Sequence, residues 1–247
     1  GDQPPELSAD ALDLLARQTW RGNIRELRNV LEQAAMRADS HFLGREQIEA
    51  VLIPSRDRRT LCVSTQAGCA FRCAFCASGA LGLARDLDAG EIVGQVYAAA
   101  RDLRAAAGAD PDARPDNLVF MGMGEPLANY DQTLRAIRVL NAPGGLTIGA
   151  RRMTLSTCGV VPGIRRLAGE GLQVELSVSL HAPDDALRGA LMPVNTRWPL
   201  AELLAACADY TARTKRIITF EYTLVAGRND QPRHAEHRGR GSGGRRL

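Results

Sequence analysis

The chain has 247 residues, 45% of them apolar and only 4% aromatic, with 31 Lys plus Arg against 28 Asp plus Glu for a formal charge of +3. At about 100 to 200 residues per domain this is one large domain, or a large one with a small companion, and it can bury a core without disulfide staples. No apolar run approaches the roughly 18 residues that span a bilayer, and the opening GDQPPELSAD lacks a leader's basic and apolar regions. Membrane insertion and secretion are therefore disfavoured, and a cytoplasmic protein is expected. Every basic residue except Lys215 is Arg, a bias that GC-rich coding DNA produces, so Arg richness alone says little about nucleic acid.

Residues 1–48 read as a small helical bundle. Ser8 can cap a helix with Leu12, Leu14 and Leu15 in one stripe, and Gly22-Asn23 opens a second helix carrying Ile24, Leu27, Val30, Leu31 and Ala34. Gly44 precedes a third short helix containing Ile48, Val51 and Leu52. After Pro54 the period changes. TLCVST at 60–65 precedes a helix over 89–107, NLVFM at 117–121 a helix over 130–140, and RMTLST, starting near 151, the stretch VVPGIRRLAGEG. VELSVSL at 174–180 and IITFEYTL at 217–224 complete the set, with the helix LAELLAACADY between them. Five strands with intervening helices predict an α/β fold of parallel βα units, a barrel or open barrel over 49–230. The stretch 231–247 has five Arg and four Gly after position 232 and no apolar periodicity, so it reads as a disordered tail. It would suit RNA contact, but Arg and Gly are what GC-rich DNA encodes in any frame, and a non-native end is the reading adopted.

Cys62, Cys69, Cys73 and Cys76 cluster, while Cys158 and Cys207 stand alone. Without a secretory signal, clustering points to metal or redox chemistry rather than a disulfide framework. Cys69, Cys73 and Cys76 form C-x3-C-x2-C directly after a predicted strand. Such a loop can wrap three thiolates around one cluster and leave an iron open. A structural zinc site would need a fourth Cys or His nearby, and none lies in the following 80 residues. Spacing alone leaves both open.

The neighbouring residues carry more. C-x3-C-x2-C after the first strand of a βα barrel resembles the radical S-adenosylmethionine (SAM) superfamily. Together with EAVLIP (49–54), TLCVSTQAGC (60–69), MGMGEPLAN (121–129), RRMTLST (151–157), GVVPGI (159–164), SLHAP (179–183) and MPVN (192–195), it looks like the bacterial 23S rRNA adenine-C2 methyltransferases, which in many bacteria also modify tRNA. The resemblance runs from about Glu49 to Asp230. It implies a partial (β/α)6 barrel with a [4Fe-4S] cluster held by Cys69, Cys73 and Cys76, whose open iron chelates SAM and whose electron, supplied by a donor such as flavodoxin, releases a 5'-deoxyadenosyl radical. It further implies that Gly124 and Glu125 meet the cofactor's amino group, glycine permitting close backbone approach and a carboxylate complementing an ammonium. Ser156, Ser179, Leu180 and His181 would line the rest of the SAM site. In the family a methyl group is loaded onto a cysteine, activated by the radical, added to adenine C2 and released when a second cysteine displaces the first. Glu49 matches the proton acceptor and Cys62 the resolving thiol.

Two segments depart from that family. LSADALDLLARQTWRGNIRELRNVLEQAAMRAD resembles the helical lid of AAA+ ATPase domains in enhancer-binding transcription activators, with Arg25 matching a nucleotide-sensing arginine. Neither a phosphate loop nor a magnesium-binding strand accompanies it, so ATP binding is not expected. After Asp230 the family continues with a sixth strand carrying an asparagine and with the methyl-accepting cysteine, so the chain reads as a truncated enzyme, incomplete or inactive. Cys158 and Cys207 are expected to be buried packing residues. The alternative is a non-catalytic regulatory or fusion protein using the lid-like helices for protein contacts.

Overall fold

The computed structural model describes residues 6–7, 42–43, 50–54, 58–107, 110–232 and 234. Its contacts separate Gly1–Glu49 from Ala50–Leu247. In the first unit β1 (Glu6–Leu7) pairs in parallel with β2 (Phe42–Leu43). The helices expected over residues 8–41 lie outside the described residues, as do Glu49 and Arg25.

The second unit is built on a six-stranded sheet of β3 (Val51–Pro54), β4 (Arg59–Cys62), β7 (Asn117–Phe120), β8 (Met153–Thr157), β9 (Glu175–Ser179) and β10 (Ile218–Glu221), in the order β10-β9-β8-β7-β4-β3. Strands β4, β7, β8, β9 and β10 run parallel, as the alternation of β-rich and helical segments predicts. Consecutive strands are neighbours, the arrangement of an open barrel wall. Residues 51–54 correct the reading of a third helix: they form the edge strand β3, antiparallel to β4, with Val51 opposite Cys62 and Pro54 opposite Arg59. Val-Leu-Ile has high strand propensity, and Pro54 is tolerated at an edge where no further strand needs its N–H.

Two pieces lack a periodic signal and are missed by sequence reading. One is the hairpin of β5 (Gln66–Gly68) and β6 (Leu83–Asp86), with the five-residue helix α1 (Ala77–Leu81) between its arms. The other is α5 (Asp185–Leu191), capped by Asp184, whose side chain accepts from the Leu187 N–H at 2.8 Å. The remaining helices are α2 (Ala89–Ala107), α3 (Tyr130–Asn141), α4 (Val161–Leu167) and α6 (Leu200–Thr214). α2 packs on α3, and α4 on α6.

The pleat sorts the side chains. Leu61, Leu118, Phe120, Met153, Leu155, Leu176 and Val178 are all buried, and the strand register aligns Leu61 with Leu118 and Leu155 with Leu176. Right-handed crossovers bring α2, α3, α4 and α6 to that face, where Ile92, Val96, Leu134, Ile137, Ile164, Leu203 and Ala206 complete the core. Each such large apolar side chain contributes about 1.5–3 kcal/mol on burial. The opposite face carries Thr60, Cys62, Thr154, Ser156, Ser177, Ser179, Thr219 and Glu221, a polar composition unlike a packed barrel interior.

Candidate functional site

The C-terminal ends of the parallel strands gather most of the predicted site residues. The three-cysteine loop sits between the arms of the β5–β6 hairpin. Its entrance is fixed by Gly68 at φ +80°, where a Cβ would lie 1.8 Å from the Gly82 carbonyl oxygen, so no other residue fits. The Cys69 N–H donates to that same oxygen at 3.0 Å, and the Cys76 N–H to the Cys73 carbonyl at 3.0 Å. From below, the loop rests on Leu191, Met192 and Val194, against which Phe71, Cys73 and Phe75 pack. The Ala74 N–H donates to the Leu191 carbonyl at 2.8 Å. The MPVN segment is thus the seat of the cysteine loop. All three thiols are half-buried. Burial, reinforced by the Glu125 carboxylate and the neighbouring thiols, pushes Cys69 up to about 11 and Cys73 up to about 12. Without metal these two stay protonated at neutral pH, so loading must release protons.

The Gly-Glu-Pro turn after β7 is pressed against the strand leaving β4. The N–H groups of Thr65 and Gln66 both donate to the Met123 carbonyl, at 2.9 and 3.1 Å, and the Met123 N–H donates to Ser64 Oγ at 2.9 Å. Gly124 has φ +99°, and a Cβ there would meet Gln66 Cβ at 2.5 Å. The close approach that demands glycine is therefore to the protein's own Gln66. Glu125 is 3% exposed. Its N–H donates to Gln66 Oε1 at 2.8 Å, and its carboxylate accepts from the Leu127 N–H at 3.0 Å and the Cys158 N–H at 2.7 Å. Burial raises its pKa, opposed by those N–H donors.

Ser156, Ser179 and Leu180 sit at the ends of β8 and β9. Both serine hydroxyls donate to Glu221 Oε2 at 3.4 Å, which makes Glu221 a third member of this group, and the Leu180 N–H donates to the Glu221 carbonyl at 3.0 Å. His181 has the left-handed φ of 55° and is 4% exposed. Its Nδ1 accepts from the Thr223 N–H at 2.9 Å, and its ring stands edge-on to Phe75 with centroids 4.7 Å apart. The cysteine loop and the end of β9 are thus in direct contact. Asn229 Nδ2 donates to the His181 carbonyl at 2.7 Å and to the Thr223 carbonyl at 2.8 Å, closing the turn after β10.

Cys62 lies on the polar sheet face, half-buried, with burial raising its thiol. Cys207 is buried in α6 as the sequence predicts. Cys158 is half-buried rather than fully buried, and burial, followed by the Glu125 carboxylate, raises its thiol well above a free one. Gln66, Asn129, Cys158, Arg188 and Glu221 escape sequence reading as site residues, because each has a partner 30 or more residues away.

Comparison with known proteins gives this arrangement a family. Residues 63–237 match the Radical SAM superfamily, and residues 1–61 match the AAA+ ATPase lid domain. A protein of Chloroflexus aurantiacus named a probable dual-specificity RNA methyltransferase is 56% identical over 188 residues, covering 76% of this chain and 50% of its own length. Its namesake in Gemmatimonas aurantiaca is 46% identical over 242 residues, covering 94% and 64%. The crystal structure of a radical SAM methyltransferase from Sphaerobacter thermophilus superimposes with a TM-score of 0.73 at 53% identity, covering 77% of this chain and 54% of that one. The chain spans about half the length of most of the curated relatives it matches. Because the match extends over 63–237 and includes the cysteine loop, the chain belongs to the radical SAM superfamily, whose cofactors are a [4Fe-4S] cluster and S-adenosylmethionine.

Proposed function

We propose that this chain carries the cofactor-binding and radical-generating part of a cytoplasmic RNA methyltransferase acting on C2 of adenine in 23S rRNA and in tRNA. The observation that carries this reading is the convergence of a three-cysteine loop, a buried carboxylate and a polar sheet face at one strand edge, in a chain whose relatives are named RNA methyltransferases. Cys69, Cys73 and Cys76 would hold the cluster. Among the described residues no three His, Cys, Asp or Glu converge on a point suited to a single ion. Three thiolates in C-x3-C-x2-C spacing would suit an iron–sulfur cluster with one iron left open to SAM.

The cluster, when bound with SAM, supplies one-electron cleavage of the sulfonium. Gly124, Glu125, Ser156, Ser179, Leu180 and His181 would position that cofactor. Each Glu125 oxygen accepts one N–H, and the carboxylate would complement the cofactor's ammonium group. The His181 imidazole, accepting at Nδ1, keeps its proton on Nε2 when neutral. Glu49 would accept the proton from the base and Cys62, on the polar face, would serve as the resolving thiol. An acidic one-electron donor of the flavodoxin kind is the expected reductant. Neither a membrane nor ATP is an expected partner.

Anaerobic reconstitution with iron and sulfide tests the reading. The expected result is iron and sulfide in the ratio of a [4Fe-4S] cluster, most of it lost in Cys73→Ala, and a reduced-cluster EPR spectrum that changes on adding SAM. Unchanged iron content after replacing Cys69, Cys73 and Cys76 in turn would falsify the cluster assignment. The substrate class is read from binding of a 23S rRNA fragment to the reconstituted chain, and equal competition by duplex DNA would remove RNA from the proposal.

A further inference from the structure

Arg188, on α5, is the largest fully buried side chain among the described residues. Its guanidinium is satisfied by neutral groups: Nε donates to the Leu180 carbonyl at 3.2 Å, Nη1 to Asn195 Oδ1 at 2.9 Å, and Nη2 to the carbonyls of Cys158 and Ser179 at 2.7 and 3.0 Å. No carboxylate among the described residues forms an ion pair with it. Asp185 stands one residue removed, accepting from Asn195 Nδ2 at 2.9 Å and from the Leu200 N–H at 2.7 Å. Glu125 is also one group removed, through the Cys158 peptide whose carbonyl Arg188 holds and whose N–H the carboxylate accepts. A buried cation without an anionic partner is strongly unfavourable, so its surroundings call for a negative charge.

The cysteine loop lies where that charge would be. Helix α5 ends in the Leu191 carbonyl that binds the loop at Ala74, and Cys73 and Cys158 pack on the same Leu191-Met192-Val194 base. Arg188 and Cys73 also interact electrostatically. We propose that Arg188 is the built-in counter-charge of the iron–sulfur cluster, a positioning residue that fixes the ends of β8 and β9 while its buried cation raises the cluster's reduction potential. This rests on the reading that Cys69, Cys73 and Cys76 hold the cluster. Three thiolates on a doubly positive core carry one net negative charge, and one-electron reduction makes it two. A fixed cation nearby in a low-dielectric setting favours the more negative state. Arg188 stays protonated throughout, and the electron comes from an external low-potential donor.

The experiment is an EPR-monitored redox titration of the reconstituted full chain with dithionite and viologen mediators. Arg188→Gln is expected to weaken reduction by about tenfold, which is about 59 mV downward for one electron. Arg188→Lys, which keeps the charge but not the fork, should hold the potential near that of the parent while losing thermal stability. The exchange Asp185→Asn with Asn195→Asp keeps side-chain shapes and net charge but moves a carboxylate onto the guanidinium, and it should lower the potential too. This exchange decides the matter alone if Arg188→Gln fails to fold. A loaded Arg188→Gln with the parent's potential overturns the counter-charge and leaves Arg188 a purely structural clamp. A parent chain that takes up no cluster instead removes the underlying reading.

Discussion

On β8, Met153, Leu155 and Thr157 are buried, while Thr154 and Ser156 between them are only partly so, and Ser156 pairs in register with Ser177 of β9. One face of the sheet is an apolar surface for helices. The other is a polar wall ending at the cysteine loop. The pleat allows one backbone to serve stability on one side and chemistry on the other, and a one-residue slip of register would exchange the two. Burial energy accumulates on the helix side, so the polar side can carry partly exposed hydroxyls and thiols.

Substitutions on adjacent residues give the largest contrast. Leu155→Ala removes a fully buried side chain and should cost about 2–5 kcal/mol in chemical denaturation. Ser156→Ala removes only a hydroxyl 3.4 Å from Glu221 and should change stability by under about 0.5 kcal/mol. Equal losses at the two positions would break the two-face description.

A smaller effect is expected where the site is held by buried polar contacts. Asn129 Nδ2 donates to the carbonyls of Thr65 and Leu87 at 2.7 Å each, tying the strand before the cysteine loop to the start of α2. Asn129→Ala leaves both acceptors unpaired and should cost about 1–3 kcal/mol. Hydrogen exchange should rise in residues 64–68 before it rises in β8; uniform loosening of the sheet would mean that the loop has no separate support.

The smallest effect lies on the exposed rim. The Glu91 carboxylate accepts twice from Arg85, at 2.6 and 2.7 Å, and once from the Asp88 N–H at 2.9 Å, while the Glu91 N–H donates to Asp88 Oδ1 at 2.8 Å, forming a capping box at the start of α2. The Arg85 guanidinium, followed by the Asp88 N–H, lowers its pKa from 4.5 to about 2. Because the folded value is depressed, its contribution is complete above about pH 4.5 and is lost as pH falls towards 2. Arg85 is more than half exposed, so solvent screens the pair. Glu91→Gln should lower the melting temperature slightly at pH 7, and the gap from the parent should close in acid. A gap that widens in acid would reverse the sign of this linkage.

Legibility followed the range of the forces. The five parallel strands and the helices over 89–107, 130–141 and 200–214 stand in the sequence because alternation and helical periodicity are local. The hairpin around the cysteines and the short α5 have no such period. The spacing of Ile48, Val51 and Leu52 reads as a short helix, and the pairing of Val51–Pro54 with β4 decided for a strand.

The sequence by itself determined the α/β alternation, the cysteine triad and the polar ends of β8 and β9, since each is written in neighbouring residues. Only the tertiary structure decided that Gly124 is required by Gln66, that the Cys158 thiol is drawn onto Glu125, and that a fully buried Arg188 binds the ends of β8 and β9. Those are consequences of desolvation and close packing, which depend on what the rest of the chain brings within hydrogen-bonding distance and have no signature at any fixed spacing.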